Sequence, residues 1–195
     1  MTHPPGKLIV ISGPSGAGKS TVVRELLTAC PLPLALSISA TTRPPRPGEM
    51  NDEHYHFLSH AEFEAKRARR EFLECKEVFG RGDWYGTLQS PVAAGLAAGK
   101  WVILEIDVQG ALAVREFHPE AITFFIHSGS LEELERRLRQ RNTETEDSLT
   151  RRLEVARREL TYLGEYRYQV INRDINHAVQ EICEILLRHG DRLHD

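Results

Sequence analysis

The sequence predicts an α/β fold, with a five-stranded parallel sheet flanked by helices and interrupted by an inserted lobe. Three observations carry this. Short apolar runs alternate with amphipathic stretches, as in a parallel sheet covered on both faces. A glycine-rich octet, GPSGAGKS, joins the first run to the first amphipathic stretch. Residues 36–90 break the rhythm, holding more turns, aromatics and polar residues, as an insertion does.

The elements follow in order. KLIVISG (7–13) is apolar and ends in glycine, the pattern of a buried strand. Val22, Val23, Leu26 and Leu27 then recur at helical spacing, and Pro31 stops that helix. WVILEID (101–107) is apolar until its acidic end, ITFFIHS (122–128) is similar, and YQVIN (168–172) is a fainter strand. SLEELERRLRQR (130–141) opens on Ser130 with Glu133 three residues on, the spacing of a capping box. Leu149, Leu153, Ala156 and Leu160 stripe a helix over 146–163. A last amphipathic helix spans Asn176 to His189, with Gly190 placed as its stop.

The whole chain sets bounds on function. Its 195 residues suit one domain with a sizeable core. Three cysteines, Cys30, Cys75 and Cys183, are odd in number and show no C-x-x-C spacing, which argues against a disulfide framework or structural zinc. The start, MTHPPGK, lacks the apolar run of a signal peptide, and no segment approaches the ~18 apolar residues of a membrane span. A net charge of −3 supplies no global field for nucleic acid or an anionic membrane, so neither partner is expected. The expected setting is a reducing cytoplasm.

The octet fits G-x-x-x-x-G-K-[ST] between a strand and a helix, the context that motif requires. Glycines let the backbone wrap phosphate oxygens, and N–H groups at a helix start point inward. Gly13, Pro14, Ser15, Gly16, Ala17, Gly18, Lys19, Ser20 and Thr21 are therefore expected to bind ATP. Lys19 would charge-balance the β- and γ-phosphates, and Ser20 would ligate Mg²⁺, with Glu105 or Asp107 nearby through water. Asp107-Val108-Gln109-Gly110 also matches the D-x-x-G of switch GTPases. The N-K-x-D that should accompany it is replaced by Asn172-Arg173-Asp174-Ile175, which disfavours a GTPase.

ATTRPPRPGE (40–49) is too rich in proline for a helix or a central strand, yet it holds out Arg43 and Arg46. Arginines on a polar loop are mostly just solvated. Beside a triphosphate site, however, two stiffly held guanidinium groups suit a second phosphate. Here the chain resembles the guanylate kinase family, in SISATTRPPRPGE, Tyr55 and Phe57, EFLE, WYGT, LEIDVQG and RLRQRNTETEDSLTRRL, which occur in the family's order. The resemblance runs from about Lys7 to Leu187 and implies a P-loop kinase fold and ATP-dependent phosphorylation of GMP, and of dGMP, to the diphosphate with Mg²⁺.

It further implies one domain over 7–188, with core 7–35, 91–135 and 154–188, a GMP-binding lobe at 36–90 and a helical lid at 136–153. Residues 1–6 and 189–195 would be flexible tails, His189 among them. Arg43, Arg46, Tyr55 and Tyr85 would hold the GMP phosphate, Ser39, Glu74 and Thr87 the guanine, with Asp107 close to the nucleotide. The chemistry of the base agrees, since one carboxylate can accept both guanine N1–H and N2–H, whereas adenine N1 is itself an acceptor. Without the resemblance, Glu74 reads as a solvated helix-end acid.

Among the lid arginines, ion pairs of Glu132 with Arg136, Glu133 with Arg137 and Glu135 with Arg139 account for several. Arg141 has Arg137 four residues back, a like-charged pair that an anion would relieve. Arg137, Arg141 and Arg152 align with the family's lid and would act with Lys19 and Arg43 in catalysis. The chain departs from the family at His54, Glu105, His127-Ser128 and Arg173. A ribose-bisphosphate kinase would share the P-loop without needing Glu74 or TTRPPR. A catalytically silent scaffold module would lose Lys19 and the lid arginines.

Overall fold

The structure is a computed structural model and describes residues 6–78, 82–140 and 146–191. β1 (Leu8–Ser12) is buried at every position, and α1 (Lys19–Ala29) follows with Val22, Val23 and Leu26 buried. The helix ends where Cys30 turns extended ahead of Pro31, since a residue before proline disfavours the helical region. β2 (Leu34–Leu36), β3 (Ser39–Thr41) and β4 (His56–Phe57) are short. α2 (His60–Ala68) starts on a full capping box between Ser59 and Glu62.

β5 (Phe72–Val78) and β6 (Asp83–Leu88) lead to α3 (Gln89–Ala97), β7 (Trp101–Glu105) and α4 (Val108–Phe117). β8 (Ile122–His127), α5 (Leu131–Gln140), α6 (Glu146–Leu160), β9 (Tyr168–Ile171) and α7 (Ile175–Asp191) complete the chain. The expected parallel sheet is present, in the order β2-β7-β1-β8-β9. β2 is the strand that sequence reasoning did not find. A second sheet, β4-β3-β6-β5, lies within the inserted residues.

The described residues group into two compact units. One comprises those of Met1–Ile9, Ala35–Leu104 and Gln109–Ala121; the other those of Val10–Leu34, Glu105–Val108 and Ile122–Asp195. In the second unit Leu134 and Leu138 of α5 bury against Leu149 and Ala156 of α6, with Leu153 packed alongside, much as the expected stripe requires.

Two expectations at the C-terminus fail. α7 runs through Gly190 to Asp191 rather than stopping at the glycine, because a glycine this near a helix end weakens the helix by only about 1 kcal/mol. His189, placed in a tail, is instead buried in α7, with its Nε2 2.9 Å from the Tyr168 hydroxyl. Among the described residues no helix is long and apolar enough to cross a membrane.

Candidate active site

The phosphate loop stands where the motif places it, between β1 and α1. Gly13 has φ +139°, and a Cβ there would lie 2.0 Å from the Ile126 carbonyl oxygen of β8. The loop can thus pass close to the sheet only with glycine at this position. Gly13→Ala is expected to cost at least about 2 kcal/mol of stability, read as a lowered urea midpoint, since both the backbone angle and the clash must be relieved. Lys19, the first residue of α1, folds its ammonium over the loop and donates to the Gly13 carbonyl at 2.6 Å and the Pro14 carbonyl at 3.0 Å.

Ser20 donates its hydroxyl to Glu105 Oε1 at 2.6 Å, so the acid at the end of β7 meets the start of α1 beside the loop. Asp107 is half-buried between β7 and α4. Two hard oxygen donors side by side fit Mg²⁺, which is held by one or two protein oxygens while water and phosphate complete the shell.

Asn172 is the residue that sequence reasoning left without a role here. It is 2 % exposed, and its side-chain amide donates to the Ala17 carbonyl of the loop at 2.8 Å. Its main-chain carbonyl accepts from Arg137 Nη2 at 2.7 Å. One buried residue at the end of β9, through its side chain and its backbone, therefore ties the phosphate loop to α5. The signal in the sequence was a polar residue at the end of a faint strand, at the place of the family's Asn-Asp pair.

The lid arginines are sorted by their partners. Arg137 pairs with Glu133 at 2.7 Å and Arg139 with Glu135 at 2.9 Å, as i,i+4 spacing requires. Arg136 does not pair with Glu132; it turns to Glu133, at 2.7 Å. The cause lies at the cap. Glu132 is held below its ordinary carboxyl range by its own backbone N–H and the Ser130 hydroxyl, while Ser130 caps the Glu133 N–H at 3.2 Å. The two arginines draw the Glu133 carboxyl down to about 2. Arg152 is half-buried on α6, and Arg141 lies outside the described residues.

The inserted sheet gathers the remaining candidates. Ser39 of β3 and Glu74 of β5 both stand opposite Thr87 of β6. The register shifts between Phe72 and Glu74, so Leu73 is an extra residue and the bulge brings Glu74 rather than Leu73 level with Thr87. Thr87, 1 % exposed, donates its hydroxyl to Glu74 Oε1 at 2.7 Å. Glu74 is thus a half-buried strand residue, not a helix-end acid.

Two register positions along, Thr41 faces Tyr85, whose hydroxyl accepts from Arg43 Nε at 3.0 Å. The Tyr55 ring sits 5.9 Å from the Tyr85 ring and 5.2 Å from the Arg43 guanidinium carbon. Arg43 is buried and its fork grips Glu49, Nη1 to Oε2 at 2.7 Å and Nη2 to Oε1 at 2.9 Å. Arg46 is exposed and gives its backbone N–H to Glu49 at 2.7 Å. Sequence reasoning missed Glu49, although an acid three residues after the second arginine was in view.

Arg43 and the Arg46 N–H hold the Glu49 carboxyl at about 2, below its ordinary 4.5. The sign follows from linkage. A depressed folded value gives stability that is fully present above about 4.5 and is lost as pH falls through about 2. Urea midpoints between those limits are expected to fall less steeply in Glu49→Gln than in the parent.

A glycine loop closing on a lysine at a helix start, with a hydroxyl–carboxylate pair beside it and a parallel sheet behind, places the chain among the P-loop nucleoside-triphosphate-binding proteins. Residues 5–189 match the family model described as guanylate kinase. The guanylate kinase of Rhodopirellula baltica is 60% identical over 187 residues, 95% of this chain and 90% of that protein. The guanylate kinase of Rubrobacter xylanophilus is 49% identical over 94% of each chain. The crystal structure of the guanylate kinase from Anaplasma phagocytophilum superposes with a TM-score of 0.79 at 32% identity, covering 97% of this chain and 88% of that one. This chain belongs to the guanylate kinase family.

Proposed function

We infer that this chain carries out ATP + GMP → ADP + GDP, and that dGMP serves as a second acceptor. The observation that carries the acceptor assignment is the alignment of Ser39, Thr87 and Glu74 across three strands, with Thr87 holding one oxygen of the carboxylate. A carboxylate fixed in this way can take the paired N1–H and N2–H of guanine and would meet a lone pair on adenine. Arg43, Arg46, Tyr55 and Tyr85 are proposed to receive the GMP phosphate, with Asp107 close to the nucleotide.

The ATP side is assigned to the loop residues Gly13 to Thr21. Lys19 would set its charge against the β- and γ-phosphates, and Arg137, Arg141 and Arg152 would meet the transferring group. Among the described residues nothing engages Arg137 Nη1, which leaves it for a phosphate oxygen. Ser20 and Glu105 are the residues proposed to hold Mg²⁺, which when bound would neutralise charge on the β- and γ-oxygens. No strong general base is required, because a GMP phosphate oxygen is already anionic near neutral pH. Catalysis is then positioning and charge neutralisation. We place the reaction in the cytoplasm, where ATP and GMP meet as free small molecules.

ATP labelled at its γ-phosphorus tests this directly. With GMP present the label is expected in GDP; label in inorganic phosphate alone would contradict the assignment.

A further inference from the structure

The arginine loop contains a carboxylate that phosphoryl transfer does not require. Glu49 brings negative charge to a place meant for a phosphate dianion, and that repulsion weakens binding unless the carboxylate serves another end. Its bonds show which. Oε2 accepts from Arg43 Nη1 at 2.7 Å and from the Arg46 N–H at 2.7 Å, while Oε1 accepts from Arg43 Nη2 at 2.9 Å. The Glu49 N–H closes the turn onto the Arg46 carbonyl at 3.0 Å.

Arg43 also donates Nε to Tyr85 at 3.0 Å and Nη1 to the Pro44 carbonyl at 2.8 Å. An arginine has five N–H groups. Two go to Glu49 and one each to Tyr85 and Pro44, so among the described residues a single N–H, on Nη2, is left uncommitted. The Tyr55 and Phe57 rings, 5.2 and 5.7 Å from the guanidinium carbon, fix the group further.

We propose that Glu49 is a positioning residue of the acceptor clamp: it locks the Arg43 guanidinium in one orientation and joins it to the Arg46 backbone, so the acceptor's phosphate meets a preset Arg43 N–H and takes its second grip from the Arg46 side chain. This rests on reading Arg43 and Arg46 as the GMP phosphate clamp. The physical gain is preorganisation. A long arginine stem that is already ordered loses little freedom when the anion arrives. Glu49 stays in place because leaving would strand the Arg46 N–H and two Arg43 N–H groups together.

Glu49→Gln keeps the side-chain size but sets an amide NH₂ against a guanidinium, so the two-point grip is lost. In the full chain, its GMP Kd and KM are expected to rise about tenfold, with kcat and the ATP KM within about twofold of the parent. Guanosine, which has no phosphate, is expected to bind as it does to the parent. That contrast separates positioning of a phosphate ligand from general weakening of the lobe. Glu49→Asp keeps the charge on a shorter stem and should show an intermediate GMP loss even if the glutamine variant folds poorly.

Unchanged or tighter GMP binding in either variant would overturn the role of Glu49, as would an equal loss for guanosine. Arg46→Ala provides the separate control. If that variant binds GMP as the parent does, the clamp itself is refuted and the inference falls with it.

Discussion

Lys19→Ala is expected to lower kcat by about 10³ while the fold and GMP binding persist. Lys19 sits at the first position of α1, and its ammonium bridges the Gly13 and Pro14 carbonyls at 2.6 and 3.0 Å. Alanine removes both the brace and the one lysine charge built into the loop. The helix itself should survive, because alanine is a better helix former and Val22, Val23 and Leu26 keep their burial. Turnover at saturating ATP and GMP, together with the far-ultraviolet circular dichroism spectrum, decides the matter. A kcat within tenfold of the parent would remove Lys19 from the transferring group.

The second large effect is expected at the base. Glu74→Gln replaces an acceptor-only carboxylate by an amide that presents N–H groups to the guanine N–H donors. The kcat/KM for GMP is expected to fall by about 10² or more, and the preference for GMP over AMP to narrow by a similar factor. Thr87 can still donate its hydroxyl to the amide oxygen, and Glu74 is only half-buried, so stability should change little. Steady-state kinetics with both monophosphates provide the measure. An unaltered preference would place guanine recognition elsewhere.

Much of this was legible in the residues, for reasons that differ by element. The phosphate loop is a local device: its turn, charge and helix start lie within GPSGAGKS, so the sequence alone locates it. β1, β7 and β8 are buried along nearly all their length, and unbroken apolar runs betray such strands. β2 has three residues, close behind Pro31 and Pro33, too few to show a period. The inserted sheet is half-buried throughout much of β4, β5 and β6, so neither alternation nor an apolar run marks it.

Side-chain partnerships were harder to see. The resemblance named Glu74, Thr87 and Ser39, but their meeting depends on a bulge at Leu73 that has no sequence signature. Glu49 escaped notice because its grip on Arg43 spans six residues of a proline-stiffened loop, whose turn is set by backbone angles rather than by periodicity. The Glu132–Arg136 pair failed for a related reason: spacing permits a contact, and the cap next door decides it.

The central claim is that this chain moves a phosphoryl group from ATP onto a guanine mononucleotide. ADP release in a coupled assay with ATP and Mg²⁺, with GMP, dGMP, AMP, UMP and ribose 1,5-bisphosphate offered in turn, tests it most directly. Turnover is expected with GMP and dGMP and only background with the other three. Equal rates with AMP or UMP, or no rate with GMP, would contradict it.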